Sequence, residues 1–327
     1  MSRTEALPDY DELPLVEGGA RSGWGLFGEN DNVGLINLQT SSSIVDAARL
    51  IRNGKVFTLD LPVDFLGPAI ERGGRGAPRH EVIRRGDIAF DDRLDGYFPQ
   101  GSTQWDALGH VGYKPGVFYN GVTPDQIASG ERNTIEHWAR RGIVGRAVLL
   151  DVVRALEAQG RHVDPFSSYA ITVEDLEAAR ELGGARIFPG DVLLVRTGHC
   201  EALADRDVSQ RRVPYTELHT PGLDHSEEMA RYLWNTHVSA VAADNMALEV
   251  WPCGLDLAGD PQGDGWPFGF AHNVLIGLFG LCIGEYFWLA DLAADCAQDG
   301  RYEMFFCSVP LNVPGGIGSA PCAVAIK

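Results

Sequence analysis

Residues 147–153 read Ala-Val-Leu-Leu-Asp-Val-Val, an apolar and β-branched run too short and too uniform for an amphipathic helix. Such a run suits a strand buried on both faces. Two more follow, Val192–Thr197 after the turn Pro189-Gly-Asp, and Val238–Ala243. Helical patterns separate them. Thr172-Val-Glu-Asp175 has the form of a capping box, and Leu176, Ala179 and Leu182 follow at helical spacing. Glu227–Asn235 reads as another helix. Upstream, Asp46–Ile51 is a short helix behind serine caps, and Val56–Val63 alternates like a strand. A helix begins at Thr123-Pro124 and runs toward Arg140, with a break at Gly130. Ala320–Ile326 reads as a terminal strand. Strands alternating with helices define an α/β class. With no internal repeat or linker, one domain over residues 23–327 is expected, behind a polar arm of residues 1–22 lying over the surface. Pro68–Arg85, rich in Gly, Pro and Arg, reads as a long excursion of the kind used for lids, binding loops or assembly contacts.

The formal net charge of −18 repels phosphate backbones and anionic lipid, which argues against nucleic-acid and membrane partners. The longest apolar stretch, Val274–Leu292, is interrupted by Gly277, Gly280, Gly284, Glu285 and Asp291 and reads as core. The first residues carry no apolar leader, so a cytoplasmic location is expected. Six cysteines form no C-x-x-C pair and are expected as buried free thiols; the neighbours His199 and Cys200 do not by adjacency make a nucleophile. No G-x-G-x-x-G, Walker loop, G-x-S-x-G or H-E-x-x-H occurs, so no nucleotide cofactor is expected and serine-hydrolase chemistry loses ground.

The polar residues that stand out lie between Gln100 and His110. Gln100, Gln104, Asp106 and His110 are all an even number of positions apart, so an extended segment aims them at one face. A carboxylate with an imidazole is the minimum kit for proton transfer or for holding a divalent cation. The competing account is a polar loop in which Asp106 caps a turn and His110 is a core histidine. Trp24, Phe27, Trp105 and Trp266-Pro-Phe268 are candidates for an aromatic pocket, with Trp105 foremost because it sits between Gln104 and Asp106.

This segment resembles the motif H-x-G-T-H-x-D-x-P-x-H of the cyclase family, which contains bacterial kynurenine formamidase and isatin hydrolase. Thr103, Asp106 and His110 match it. Further resemblances are Gly145-Arg-Ala-Val-Leu-Leu-Asp151, the stretch Ile171–Gly198 ending Pro-Gly-Asp-Val-Leu-Leu-Val-Arg-Thr-Gly, Val241-Ala-Ala-Asp-Asn, and His272–Leu292 with Glu285 at the glutamate position. Together they cover the chain from Trp24 onward. Among the departures, the two motif histidines fall on Gln100 and Gln104, and Leu108 replaces the proline. Amide oxygens are poorer ligands than imidazoles for Zn²⁺ or Mn²⁺.

The resemblance implies a single-domain swivelling β/β/α-type fold, with a mixed sheet forming a partial barrel flanked by helices. It implies His110 as the catalytic base, acting with or without a weakly held divalent metal (Mn, Zn or Mg) for which Asp106, His272 and Glu285, with Gln104, are the expected holders; without a metal, Gln100 and Gln104 serve as hydrogen-bond donors to a substrate oxygen. Gln100, Gln104, Trp105, Trp24 and Phe27 are the expected substrate-binding residues. The expected activity is hydrolysis of a small amide, lactam or lactone, of the arylformamidase kind. The alternatives are a metal-independent lyase, dehydratase or cyclase using Asp106 and His110, and a non-catalytic ligand-binding member. The family's habit also implies a homodimer or homotetramer and a small-molecule substrate.

Overall fold

In the computed structural model, which describes residues 7–69, 74–254 and 265–327, the three apolar runs lie side by side as the middle of one sheet. In chain order the strands are β1 (Val56–Thr58), β2 (Arg79–Arg85), β3 (Ala89–Asp95), β4 (Gln104–Asp106), β5 (Ile143–Asp151), β6 (Ala170–Ile171), β7 (Val192–Arg196), β8 (Gly222–Leu223), β9 (Ala240–Ala243), β10 (Cys282–Glu285), β11 (Glu303–Ser308), β12 (Gly318–Ser319) and β13 (Ala323–Ile326). Nine of them form a mixed sheet in the order β1-β13-β11-β5-β7-β9-β10-β4-β12. It curls into a half-barrel flanked by helices, the α/β architecture expected.

β5, β7, β9 and β10 pair in parallel; both flanks are antiparallel. The parallel strands are buried on both faces, which is why they read as unbroken apolar runs rather than alternating ones. Register places Leu149, Leu194, Ala242, Gly284, Trp105 and Ser319 in one row across the sheet. Because side chains alternate, the rows on either side, with Glu285 opposite Gln104 and Ile283 opposite Asp106, face the other way.

Local signals worked where the chemistry was local. The helix Val173–Leu182 starts at Thr172, whose hydroxyl accepts from the Asp175 amide while the Asp175 carboxylate accepts from the Thr172 amide. Glu227–Asn235 is helical as expected. The break near Gly130 is real, dividing Pro124–Ala128 from Glu136–Arg141.

Four expectations are corrected. The early helix is Ser41–Ala48, capped by Thr40 and centred upstream of Asp46–Ile51. The excursion Pro68–Arg85 is not all loop: its second half is β2, which pairs with β3 in an exposed hairpin. Residues 7–22 of the expected arm are stitched into the core, with Tyr10, Leu13 and Ala20 buried and the Tyr10 amide donating to Asn235. Cys322 is an exposed thiol, whereas Cys200, Cys282 and Cys296 are buried. Among the described residues no helix is long and apolar enough to cross a membrane.

Candidate active site

β4 is three residues long and supplies two site residues at once. Gln104 and Asp106 point to the face shared with Glu285 of β10, and both are fully buried. His110 arrives differently. After Asp106 the chain turns, with the His110 amide donating to Ala107 O, and the imidazole folds back to put Nε2 at 3.7 Å from Asp106 Oδ1. The even spacing therefore operates only across β4; Gln100 lies in a 3₁₀ turn before it and His110 in a turn after it.

His272 sits in the short helix Ala271–Leu275, fully buried and stacked on Phe270 at 4.2 Å. Its Nε2 lies 3.4 Å from Glu285 Oε1 and 3.9 Å from Asp106 Oδ2, with no hydrogen-bond partner. One ligand atom each from Asp106, His272 and Glu285 lie within 4.8 Å of one another. Gln104 donates weakly to Asp106 at 3.3 Å, and its Oε1 is buried without a partner. A buried, orphaned imidazole nitrogen between two carboxylates, with an orphaned amide oxygen beside them, has the donor chemistry of a divalent-cation site.

Glu249 completes the group, and nothing in the sequence pointed to it. It is fully buried; its Oε2 accepts from His272 Nδ1 at 2.8 Å and its Oε1 from the Ala271 amide at 2.7 Å. With Nδ1 donating, Nε2 is the nitrogen turned toward Asp106 and Glu285, the arrangement by which a carboxylate orients a metal-binding histidine. Glu249 reaches this position through a turn in which Ala247 and Leu248 both have left-handed backbones, φ 70° and 60°. The Asn245 side-chain amide holds the turn by donating to Pro221 O and Leu248 O. The available signal was the segment Asn245-Met-Ala-Leu-Glu directly after a buried strand, but no spacing rule links it to residue 272.

Charge is strongly coupled here. Burial pushes the Asp106 carboxyl up, yet His110, His272 and Arg75 outweigh it and bring its pKa below the usual value. Burial lowers His110, reinforced by Arg75 and His272 against the pull of Asp106 and Glu285. His272 goes the other way: burial lowers it, but Glu249, Asp106 and Glu285 raise it well above an ordinary histidine.

Glu285 and Gln100 reach the wall of a cleft that continues over Tyr286, Met246 and Leu218. The proposed aromatic lining lies elsewhere. Trp105 faces opposite to Gln104 and Asp106, packs on Phe287 and Phe306, and donates to Ser308 Oγ in the core. Trp24 donates to Gly277 O and, with Phe27, Trp266 and Phe268, packs on the main core. Cys200 is buried with its thiol pushed well up, and His199 Nδ1 donates to Pro165 O, so this pair forms no nucleophile.

Comparison with known proteins accords with this layout. The Cyclase family model matches residues 80–250. A crystal structure described as a novel cyclase is 35% identical, aligns over 94% of this chain and 99% of its own, and superposes with a TM-score of 0.78. Isatin hydrolase A from Ralstonia solanacearum is 18% identical over 88% of this chain and 98% of its own, with a TM-score of 0.58. Isatin hydrolase A from Labrenzia aggregata, bound to benzyl benzoate, is 17% identical over 87% and 97%, with a TM-score of 0.57. At these identities the two hydrolases share the fold. Comparison with curated protein sequences gives no match. With the family model spanning more than half the sequence and a relative aligned along nearly all of it, this chain belongs to the Cyclase family.

Proposed function

We propose that the chain is a metal-assisted hydrolase that cleaves an amide, lactam or lactone bond in a small substrate. One observation carries the reading: Asp106, His272 and Glu285 present ligand atoms within 4.8 Å of one another, and His110 stands beside Asp106. A divalent cation (Mn, Zn or Mg) held there, with Gln104 Oε1 as a neutral fourth donor, supplies Lewis-acid polarisation of a carbonyl oxygen. The chain's own residues supply the rest. His110 takes a proton from the attacking water, as the water oxygen bonds to the carbonyl carbon. It then returns the proton to the departing nitrogen or oxygen as the scissile bond breaks. Asp106 holds the imidazole in place, and Gln100 at the cleft wall donates its amide to a substrate oxygen.

The test is a panel of formanilides, lactams and lactones against wild type and His110→Ala. The variant is expected to lose about 10²–10⁴-fold in kcat/KM with its melting curve unchanged. Activity retained in that variant removes His110 from the mechanism. A second reading, a metal-free lyase or cyclase, draws on the 3.7 Å contact between Asp106 and His110. Stoichiometric metal in the purified protein, with turnover lost on chelation and regained with Mn²⁺, is expected; full turnover after exhaustive chelation would favour the lyase.

A further inference from the structure

The chain carries 45 acidic and 27 basic residues, yet three arginines, Arg75, Arg211 and Arg212, line the cleft that Gln100 and Glu285 reach. They are not equivalent. Arg211 is fully engaged: its guanidinium donates to Arg206 O, Phe65 O and Ala204 O and lies over the Phe65 ring. Arg212 makes one long bond, Nη2 to Gly101 O at 3.3 Å, and its Nε is buried with no partner. Arg75 makes no hydrogen bond or ion pair with any described residue. Both lie near the chemistry. The charge of Arg75 lowers the pKa of Asp106 and of His110, and that of Arg212 is felt at Tyr286, next to Glu285.

Leaving a guanidinium N–H buried and unpaired costs about 1–3 kcal/mol or more, because the group is charged. In so acidic a protein a carboxylate partner is easily supplied, and among the described residues neither arginine has one. We infer that Arg75 and Arg212 form an anion subsite, and that the substrate carries a free carboxylate in addition to its scissile bond. This rests on the hydrolase reading above. A guanidinium fork matches a planar carboxylate, and two forks on one cleft fix its orientation. The same cleft is lined by Leu66, Leu203, Val213 and Leu218, which suits a small hydrocarbon body. The substrate class is therefore a compact, carboxylate-bearing amide, lactam or lactone. Its carboxylate sits on the arginines while its carbonyl faces Asp106 and Glu285.

Calorimetric titration of benzoate, benzamide and phenyl phosphate into the purified protein, as isolated and after chelation, tests this. Benzoate is expected to bind at least ten-fold more tightly than benzamide in both forms. Arg75→Gln and Arg212→Gln should each weaken benzoate at least ten-fold while leaving benzamide unchanged. Equal binding of benzoate and benzamide by wild type overturns the subsite without recourse to any variant. So does benzoate binding that disappears on chelation, which would assign the anion to the cation rather than to the arginines. So do two arginine variants that bind benzoate normally, and tighter binding of phenyl phosphate overturns the carboxylate assignment. The two proposals fail separately. Arginine-dependent benzoate binding with no turnover of any substrate in the panel sinks the hydrolase alone; turnover with binding indifferent to charge sinks the subsite alone.

Discussion

Glu249 decides which nitrogen of His272 meets the two carboxylates, so it would act on a cation held there through another residue. Glu249→Gln keeps the shape and lets the amide oxygen still accept, but removes the charge that strengthens the bond. A loss of about 10–100-fold in Mn²⁺ affinity is expected, read by competition with a metal-sensitive dye. An affinity unchanged from wild type would mean that stacking on Phe270 suffices to orient the ring. Asp106, His272 and Glu285 were readable because two strand ends and a helix start carry them at positions that match the family's motifs. Glu249 was not, because it reaches the site through two left-handed residues that no periodicity anticipates. A pocket role for Trp105 runs against the alternation rule itself: if Gln104 and Asp106 face the site, the residue between them faces the core.

At the scale of elements, the pairing of β10 with β4 joins core and site. Gly284 lies opposite Trp105, and a Cβ there would stand 2.6 Å from both the Trp105 and Phe287 rings. Gly284→Ala should therefore destabilise the fold by about 1–3 kcal/mol through overpacking, measured by urea unfolding, and should lower Mn²⁺ affinity because Glu285 is its neighbour. An alanine variant as stable as wild type would show that the rings move aside freely. Elements with a local cause were legible: capping boxes, an apolar run, a glycine break. Boundaries that depend on sheet partners were not. Val56–Val63 alternates over eight positions, but the strand is only Val56–Thr58, and its last link to β13 is the Leu59 amide donating to Ala323 O, where β13 begins. Likewise β2 read as loop, since its glycine- and arginine-rich surroundings give no buried face to alternate with.

At the scale of the molecule, the β2–β3 hairpin stands apart from the main sheet with nearly every residue exposed. Its register puts Val82, Phe90 and Leu94 on one face, 60%, 66% and 47% exposed. A lone two-stranded ribbon is marginal in water, and such a face is ordinarily covered. We propose that a second copy of the chain covers it in a homodimer or homotetramer. Light scattering after gel filtration should give an oligomer at both low and high salt, and the double change Val82→Asp with Phe90→Asp should shift it to monomer. A wild type that is monomeric at both salt concentrations would sink this.

The brevity of β4 also bears on how such a protein can change over time. Its three buried residues alternate, with Trp105 turned onto Phe287 and Phe306 in the core and Gln104 and Asp106 toward the candidate site, so a substitution there is felt on both sides of the sheet. New specificities must then arise where the two demands part company, along the cleft wall at positions such as 75 and 212. The centre would remain a fixed inheritance, and diversity among relatives would accumulate around its rim.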